Sequence, residues 1–192
     1  MSKPRSDGRG LQPMHPNSAS APAGRSGASL ALVGLGVSVL ALAAAPALMP
    51  RDYSWVANTT SESAAQGVQG AWLARLGFVL LGLSVILLAV ESRRRWGPWA
   101  TALHATFGTL MTAATVFSHR PWTTGEEFDR TEDLLHSVAA TGMGFAFALG
   151  VVATALWRTR RRVLDVIAVV AAVAIPLGMS AWPEIGGAIQ RY

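Results

Sequence analysis

The sequence predicts an all-α fold, a polytopic transmembrane helical bundle of five spans with a cytoplasmic N-terminus. Three observations support this prediction. Hydrophobic residues make up 51% of the 192-residue chain and charged residues only 14%, whereas about a quarter of a typical soluble domain is charged. Five apolar runs are each long enough to cross the roughly 30 Å hydrocarbon layer as a helix. Arginine clusters and acidic loops alternate between these runs, as the positive-inside rule requires.

The N-terminal residues 1–27 are rich in Ser, Pro, Gly, Ala and Arg, and this composition predicts a disordered cytoplasmic tail. Residues 28–192 are expected to form the transmembrane helical domain, with its first span at 30–49. A cleavable signal peptide has a shorter apolar core, of about 7 to 15 residues. We therefore interpret 30–49 as an uncleaved first span.

The four remaining spans are expected at 71–90, 99–117, 134–157 and 163–182. They should be helices, because only a helix or a closed barrel satisfies its own backbone hydrogen bonds in lipid, and the alternation of barrel strands is missing. The tryptophans support these span boundaries, because each of the seven lies at or just beyond the end of a predicted span, where aromatic belts form. They are Trp55, Trp72, Trp96, Trp99, Trp122, Trp157 and Trp182.

The basic residues predict the orientation of the bundle. They cluster before the first span, between the second and third spans at Arg93–Arg95, and between the fourth and fifth spans at 158–162. Five crossings place all three clusters on one side, which the positive-inside rule assigns to the cytoplasm. The acidic loops 50–70 and 118–133 then lie outside, and so does the C-terminus.

The formal net charge of +5 does not indicate nucleic-acid binding, because the basic residues sit at the ends of apolar runs and form no face with base-stacking groups. The chain has no cysteine, which excludes disulfides, thiolate metal sites and a cysteine nucleophile. The expected partners are the lipid bilayer and either further copies of the chain or another membrane protein.

Residues 117–137 contain the densest cluster of titratable groups. His119 closes the third span and His136 opens the fourth, and the short loop between them should hold the two rings close together. Two imidazoles beside Asp129 and Asp133 can bind a divalent metal or act as acid and base. The alternative is that these groups are polar caps of a solvated loop, since carboxylates are favoured near a helix N-terminus. HxxxH and HExxH spacings are both missing.

Four further residues are candidates for function. Ser61, beside Glu62, is a candidate nucleophile that would act with His136 and Asp133, although no GxSxG elbow surrounds it. Arg75, about one turn inside the second span, either pairs with a carboxylate of the outer loops or snorkels to the interface. His104 lies inside the third span, where an ionisable group is a functional candidate. Alternatively, a threonine hydroxyl on a neighbouring helix satisfies its ring.

Short motifs of polar, aromatic and glycine residues flank the apolar runs: Asp52–Ser54, Asn58–Glu62, Gly70–Leu73, Phe117–Pro121, Asp133–Ser137 and Gln190–Arg191. These motifs resemble the domain-of-unknown-function 998 (DUF998) family of prokaryotic integral membrane proteins. The resemblance covers roughly residues 30–192 and implies a multi-span bundle with no established activity. Family members usually continue into a sixth helix, so a five-span variant or a shortened product is expected, of bacterial origin and in the inner membrane.

The sequence favours a non-enzymatic protein that binds a small molecule, a lipid or a partner at its outer face, with Arg75 as a counter-ion. This interpretation predicts an open outer groove lined by Trp55, Trp122 and carboxylates, with the histidines apart. The main alternative is a membrane-embedded hydrolase whose metal is held by His119, His136 and nearby carboxylates. A transporter subunit is a third interpretation, but the spans show no internal repeat of the kind that transporters use.

Overall fold

The computed structural model describes residues 24–157 and 163–191, and these residues form helices and loops without a β-strand. The described part of the chain has six α-helices, and short 3₁₀ turns occupy Ala45–Leu48, Glu62–Ala64 and Pro183–Ile185. The α-helices are α1 (Gly24–Ala44), α2 (Ala71–Glu91), α3 (Arg93–Val116), α4 (Arg130–Trp157), α5 (Val163–Ala181) and α6 (Gly186–Arg191).

Helices α1 to α5 pack in chain order, each against the next, and they alternate in direction. The start of α1 meets the end of α2 at Gly27 and Glu91, and the start of α3 meets the end of α4 at Gly97 and Trp157. This end carries Arg93–Arg95, the first three residues of α3, and we call it the arginine end. The opposite end carries the loops 49–70 and 117–129 together with α6, and we call it the acidic end.

Four described helical segments are long and apolar enough to cross a membrane: Gly27–Leu48, Ala71–Glu91, Arg130–Trp157 and Val163–Ala181. They coincide with four of the five predicted spans. Helix α3 is not among them. It begins with three arginines and is interrupted by Gly97 (φ +80°) and Pro98, so its apolar part is short and rich in threonine.

The helix boundaries differ from the predicted ones at the polar ends of the spans. Helix α1 begins at Gly24, inside the predicted tail 1–27, and residues 1–23 lie outside the described part of the chain. Helix α4 begins at Arg130, four residues before the predicted span 134–157. In both cases a polar first turn continues the helix beyond the apolar run from which the span was predicted.

The interior of the bundle is built from small side chains, while large apolar side chains face outward. Ala45, Ala74 and Ala89 are fully buried, but Leu40 and Leu164 are 70% and 71% exposed. This arrangement is expected in lipid, where helices associate through close backbone packing. Helices α2 and α3 approach each other closely, since a Cβ atom on Gly82 would lie 2.6 Å from the carbonyl oxygen of Gly108.

Candidate functional site

The two loops of the acidic end are joined by the side chain of Gln66. Its Nε2 donates to the carbonyl oxygens of Ser118 at 2.9 Å and Asp129 at 3.0 Å, and its Oε1 accepts from the Asp129 backbone N–H at 2.8 Å. The backbone N–H of Gln66 also donates to the His119 carbonyl oxygen at 2.8 Å. The role of Gln66 could not be predicted from the sequence, because its partners are backbone atoms of residues that are distant in the chain.

Ser61 and Glu62 belong to a local capping structure. The Thr59 hydroxyl accepts from the Glu62 backbone N–H at 3.3 Å, and the Glu62 carboxylate accepts from the backbone N–H and the hydroxyl of Thr59. This reciprocal pairing is a capping box, and its T-x-x-E spacing is visible in the sequence. Within the described residues, Ser61 has no side-chain hydrogen bond to His136 or Asp133, so these three side chains do not form a nucleophile–base arrangement.

The side chain of Arg75 in α2 binds backbone carbonyl groups of the first loop, residues 49–70. Its Nε donates to the Ala64 carbonyl oxygen at 3.1 Å and its Nη2 to the Ala65 carbonyl oxygen at 2.9 Å. No carboxylate lies within ion-pair distance of Arg75 in the described part of the chain. Of the two alternatives for Arg75, the described residues do not show the pairing with an acidic loop residue; the guanidinium instead fixes the end of the 3₁₀ turn Glu62–Ala64.

His136 is buried and connects α4 to the end of α3. Its Nδ1 lies 2.7 Å from the Ala114 carbonyl oxygen and 2.9 Å from that of Phe117, so the ring donates its Nδ1 proton to these acceptors. Both carbonyls are at the C-terminal end of α3, where the helix supplies no donors of its own. The Nε2 atom of this tautomer keeps its lone pair.

His119 lies beside His136, with ring centroids 5.2 Å apart and an interplanar angle of 81°. The histidines are therefore in contact, not apart as the binding interpretation predicted. His119 donates its Nδ1 proton to the Arg120 carbonyl oxygen at 2.7 Å, and its Nε2 lies 3.9 Å from Oδ1 of Asp133. Asp133 Oδ1 also accepts from the Arg120 backbone N–H at 2.9 Å.

The acidic residues near the histidines mainly cap backbone groups. Asp129 Oδ1 accepts from the backbone N–H groups of Thr131 and Glu132 at 2.7 and 3.1 Å, which is the N-cap interaction at the start of α4. Glu132 Oε1 accepts from the Ser118 N–H at 2.7 Å. In the described residues no three or more His, Asp or Glu side chains are grouped as a metal site requires.

An open groove lies beside this cluster, between the two loops of the acidic end. Its volume is about 340 Å³, and Asp52, Trp122, Glu126 and Glu127 line it together with the amides Gln66 and Gln69. Trp122 is held by a hydrogen bond from its Nε1 to Asp52 Oδ2 at 3.1 Å and by edge-on packing against Tyr53, with ring centroids 5.1 Å apart. We call this cavity the acidic groove.

The acidic groove matches the groove predicted for a binding protein, with Trp122 and carboxylates in its wall, but Trp55 is not part of it. Trp55 instead lines a second, larger groove of about 660 Å³ between α1, the first loop and α6. This second groove could not be predicted from the sequence, because Gln190 reaches it from the far end of the chain.

The sequence profile of one protein family, described as "Protein of unknown function (DUF998)", matches residues 23–191. The chain belongs to the DUF998 family. The match extends over nearly the whole chain and includes both loops of the acidic end and α6, so the resemblance in the short motifs is confirmed. Among curated proteins and among solved structures, nothing matches this DUF998 chain.

In this DUF998 protein, His104 lies near the arginine end and far from the histidine pair. Its Nδ1 donates to the Ala100 carbonyl oxygen of its own helix at 2.8 Å, and its ring packs against Trp96 with centroids 4.7 Å apart. Together with Thr154 and Asp165 it lines a small crevice of about 140 Å³. The partner of His104 is thus a carbonyl of α3, not a threonine of a neighbouring helix.

The threonines of α3 do not connect His104 to the acidic end. Thr109, Thr112 and Thr115 each donate a hydroxyl proton to the carbonyl oxygen four residues earlier in the same helix, at 2.9, 3.0 and 2.9 Å. These hydroxyls satisfy themselves locally, as threonines inside helices commonly do. They therefore do not form the continuous polar path that a transporter subunit requires.

Proposed function

We propose that this DUF998 protein is a non-enzymatic membrane protein whose acidic groove binds a small organic cation outside the cell. The observation that carries the proposal is the composition of the groove wall, in which three carboxylates and an indole line one cavity. Among the described residues that line it there is no Lys, Arg or His. The cavity volume lies near the lower end of the 300–1,000 Å³ typical of small-molecule sites.

The chemistry of the wall favours an ammonium group over a neutral or anionic ligand. Glu126 and Glu127 are exposed carboxylates, and Asp52 has committed one oxygen to Trp122. An indole attracts a cation through its ring quadrupole, with a free energy of about 0.5–2 kcal/mol. An alkylammonium ion gains both interactions, whereas an anion would be repelled by all three carboxylates.

The groove is preorganised by its supporting contacts. Gln66 fixes both loops through backbone atoms, Arg75 fixes the first loop, and Tyr53 fixes the ring of Trp122. A site whose walls are already ordered does not spend binding free energy on ordering them. This supports binding as the role of the acidic end.

The test is isothermal titration of the detergent-purified protein with tetramethylammonium chloride, against sodium chloride at equal ionic strength. We expect saturable binding that weakens at least about ten-fold, or 1.4 kcal/mol, in the double variant Glu126→Gln, Glu127→Gln. The variant Glu184→Gln removes an exposed carboxylate outside the groove and should bind like the wild type. Equal binding by the double variant and the wild type, or no saturable heat at all, would refute the proposal.

The proposed location is the bacterial inner membrane, crossed five times, with the acidic end outside and the N-terminus in the cytoplasm. Two features support it. Helices α1 to α5 alternate in direction between the same two ends, and Arg93–Arg95 lie at the end opposite the acidic loops. The positive-inside rule then assigns the arginine end to the cytoplasm.

A metal-dependent hydrolase is the second candidate function, and one observation favours it. His119 and His136 each donate Nδ1–H to a backbone carbonyl, which is the arrangement that presents Nε2 to a metal. Zinc in a catalytic site has three protein ligands, whereas no third His, Asp or Glu of the described residues is grouped with the two rings as such a site requires, so Asp133 would have to move to supply the third. Stoichiometric zinc in the purified protein that disappears in the double variant His119→Ala, His136→Ala would favour the hydrolase; no zinc in either would remove it.

A further inference from the structure

The larger groove of the acidic end has walls of two kinds. One wall is the last two turns of α1 and the following 3₁₀ turn, with the apolar residues Val39, Leu42, Ala43, Pro46 and Ala47. These residues lie in the segment Gly27–Leu48, which is apolar and long enough to cross a membrane. The other wall is polar and consists of Trp55 and Thr60 from the first loop and Gln190 from α6.

The polar wall is held in place by backbone contacts between α6 and the first loop. Gln190 Oε1 accepts from the Thr60 backbone N–H at 2.8 Å, and the Ala188 backbone N–H donates to the Val56 carbonyl oxygen at 2.9 Å. The Ser63 hydroxyl donates to the Thr60 carbonyl oxygen at 2.6 Å. The position of Thr60 is therefore fixed by both of its own backbone polar groups.

Thr60 and Gln190 bring two side-chain hydrogen-bond donors to this groove. Thr60 is only 8% exposed, and its Oγ1 has no hydrogen-bond partner among the described residues. Gln190 is exposed, and its contact with Thr60 uses Oε1, so its Nε2 is not engaged by that contact. The Thr60 hydroxyl and the Gln190 amide can therefore both donate to an acceptor that enters the groove.

We propose that this groove, the lipid groove, binds one phospholipid of the bilayer, with an acyl chain along α1 and an ester or phosphate oxygen at Thr60 and Gln190. The apolar wall lies in a spanning segment, where hydrocarbon is the surrounding solvent, and the polar wall follows it at the end of that segment. A phospholipid has the same order of apolar and polar groups along its length, since its apolar acyl chain is followed by the polar ester carbonyl and phosphate. The volume of about 660 Å³ is typical of a ligand site.

This proposal is independent of the acidic groove, because the two cavities share no lining residue. Leu42 of the lipid groove also packs against the buried cluster of Ala45, Ala64 and Ala74, so the apolar wall is anchored to the interior of the bundle. A phospholipid bound here would connect α1, the first loop and α6. It would thereby join the first and last helices of the described chain.

The experiment is native mass spectrometry of the full-length protein, delipidated in detergent and titrated with 1-palmitoyl-2-oleoyl-phosphatidylglycerol. Ala43→Phe fills the groove, and Ala44→Phe is the matched control, because Ala44 is also exposed but is not among the residues that line the groove. We expect the first lipid to bind Ala43→Phe at least ten-fold more weakly than Ala44→Phe. Thr60→Val, which removes only the hydroxyl, should weaken the first lipid about three- to ten-fold.

Two outcomes would overturn the proposal. Equal affinity of the first lipid for the wild type and all three variants would mean that the protein retains only annular lipid. A lipid-free dimer that Ala43→Phe dissociates and Ala44→Phe leaves intact would assign the groove to a second copy of the chain. Thermal unfolding of each variant in the same detergent verifies that a loss of lipid is not a loss of fold.

Discussion

Gln66 and Asp129 exchange two hydrogen bonds across the acidic end. The Asp129 backbone N–H donates to Gln66 Oε1 at 2.8 Å, and Gln66 Nε2 donates to the Asp129 carbonyl oxygen at 3.0 Å. A side-chain amide thus pairs with a peptide group 63 residues away, as two peptide groups pair in a β-sheet. The geometry of the acidic groove therefore depends on an uncharged residue, while its charges remain available for a ligand.

Replacing Gln66 with leucine should destabilise the acidic end. The substitution removes three side-chain hydrogen bonds and leaves the Ser118 carbonyl oxygen and the Asp129 backbone N–H without these partners, while the Asp129 carbonyl oxygen still accepts from the Asp133 N–H. At about 1 kcal/mol for each bond, we expect a loss of about 2–3 kcal/mol, which corresponds to roughly 5–10 °C for a protein of this size. Thermal unfolding in detergent, followed by tryptophan fluorescence, measures it. Gln69→Leu is the control, since Gln69 is exposed; equal shifts in the two variants would contradict the assignment.

Replacing His136 with phenylalanine should cost more stability than the same change at His119. His136 is 6% exposed and supplies a donor to two carbonyls at the end of α3, so its loss should cost about 1–3 kcal/mol. His119 is more exposed, and its loss should cost less than about 0.5 kcal/mol. Both midpoints are measured by the same thermal unfolding assay. If the two variants lost equal stability and a chelator reproduced that loss in the wild type, the pair would be a metal site instead.

The sequence predicts the helical segments well because apolar length alone determines which segments can cross a bilayer. It also contains the capping box at Thr59 and Glu62 as a spacing of three residues. It cannot predict the partners of Gln66, Arg75 and His136, which are backbone groups. Almost every residue carries such a donor and acceptor, and only the packing of the helices and loops determines which one a side chain reaches.

Replacing Gly82 with alanine should destabilise the α2–α3 interface. A Cβ atom there would lie 2.5 Å from Thr112 Oγ1 and 2.6 Å from the Gly108 carbonyl oxygen, so the helices would have to separate, at a cost of about 1–3 kcal/mol. Gly36→Ala in α1 is the matched control, because no atom lies within 4 Å of the added Cβ. It should be neutral or slightly stabilising, since alanine favours helices. Similar unfolding midpoints for the two variants would show that α2 and α3 do not pack this closely.

Single cysteines should show whether α3 crosses the membrane. The chain contains no native cysteine, so Gln69→Cys, Arg94→Cys and Glu126→Cys each introduce one thiol at an exposed position. We expect a membrane-impermeant maleimide to label Gln69→Cys and Glu126→Cys in intact cells, and Arg94→Cys only after permeabilisation.

The positions of the two acidic-end thiols decide the number of crossings. Gln69 precedes α2 and Glu126 follows α3. Because α2 is long and apolar enough to cross a membrane, the two thiols lie on the same side only if α3 crosses as well. The hydrogen bonds of Gln66 to Ser118 and Asp129 join the loop before α2 directly to the loop after α3. They therefore require both loops to lie on the same side of the membrane. Labelling of Glu126→Cys together with Arg94→Cys, and apart from Gln69→Cys, would mean that α3 does not span the bilayer. That result would also separate the two walls of the acidic groove.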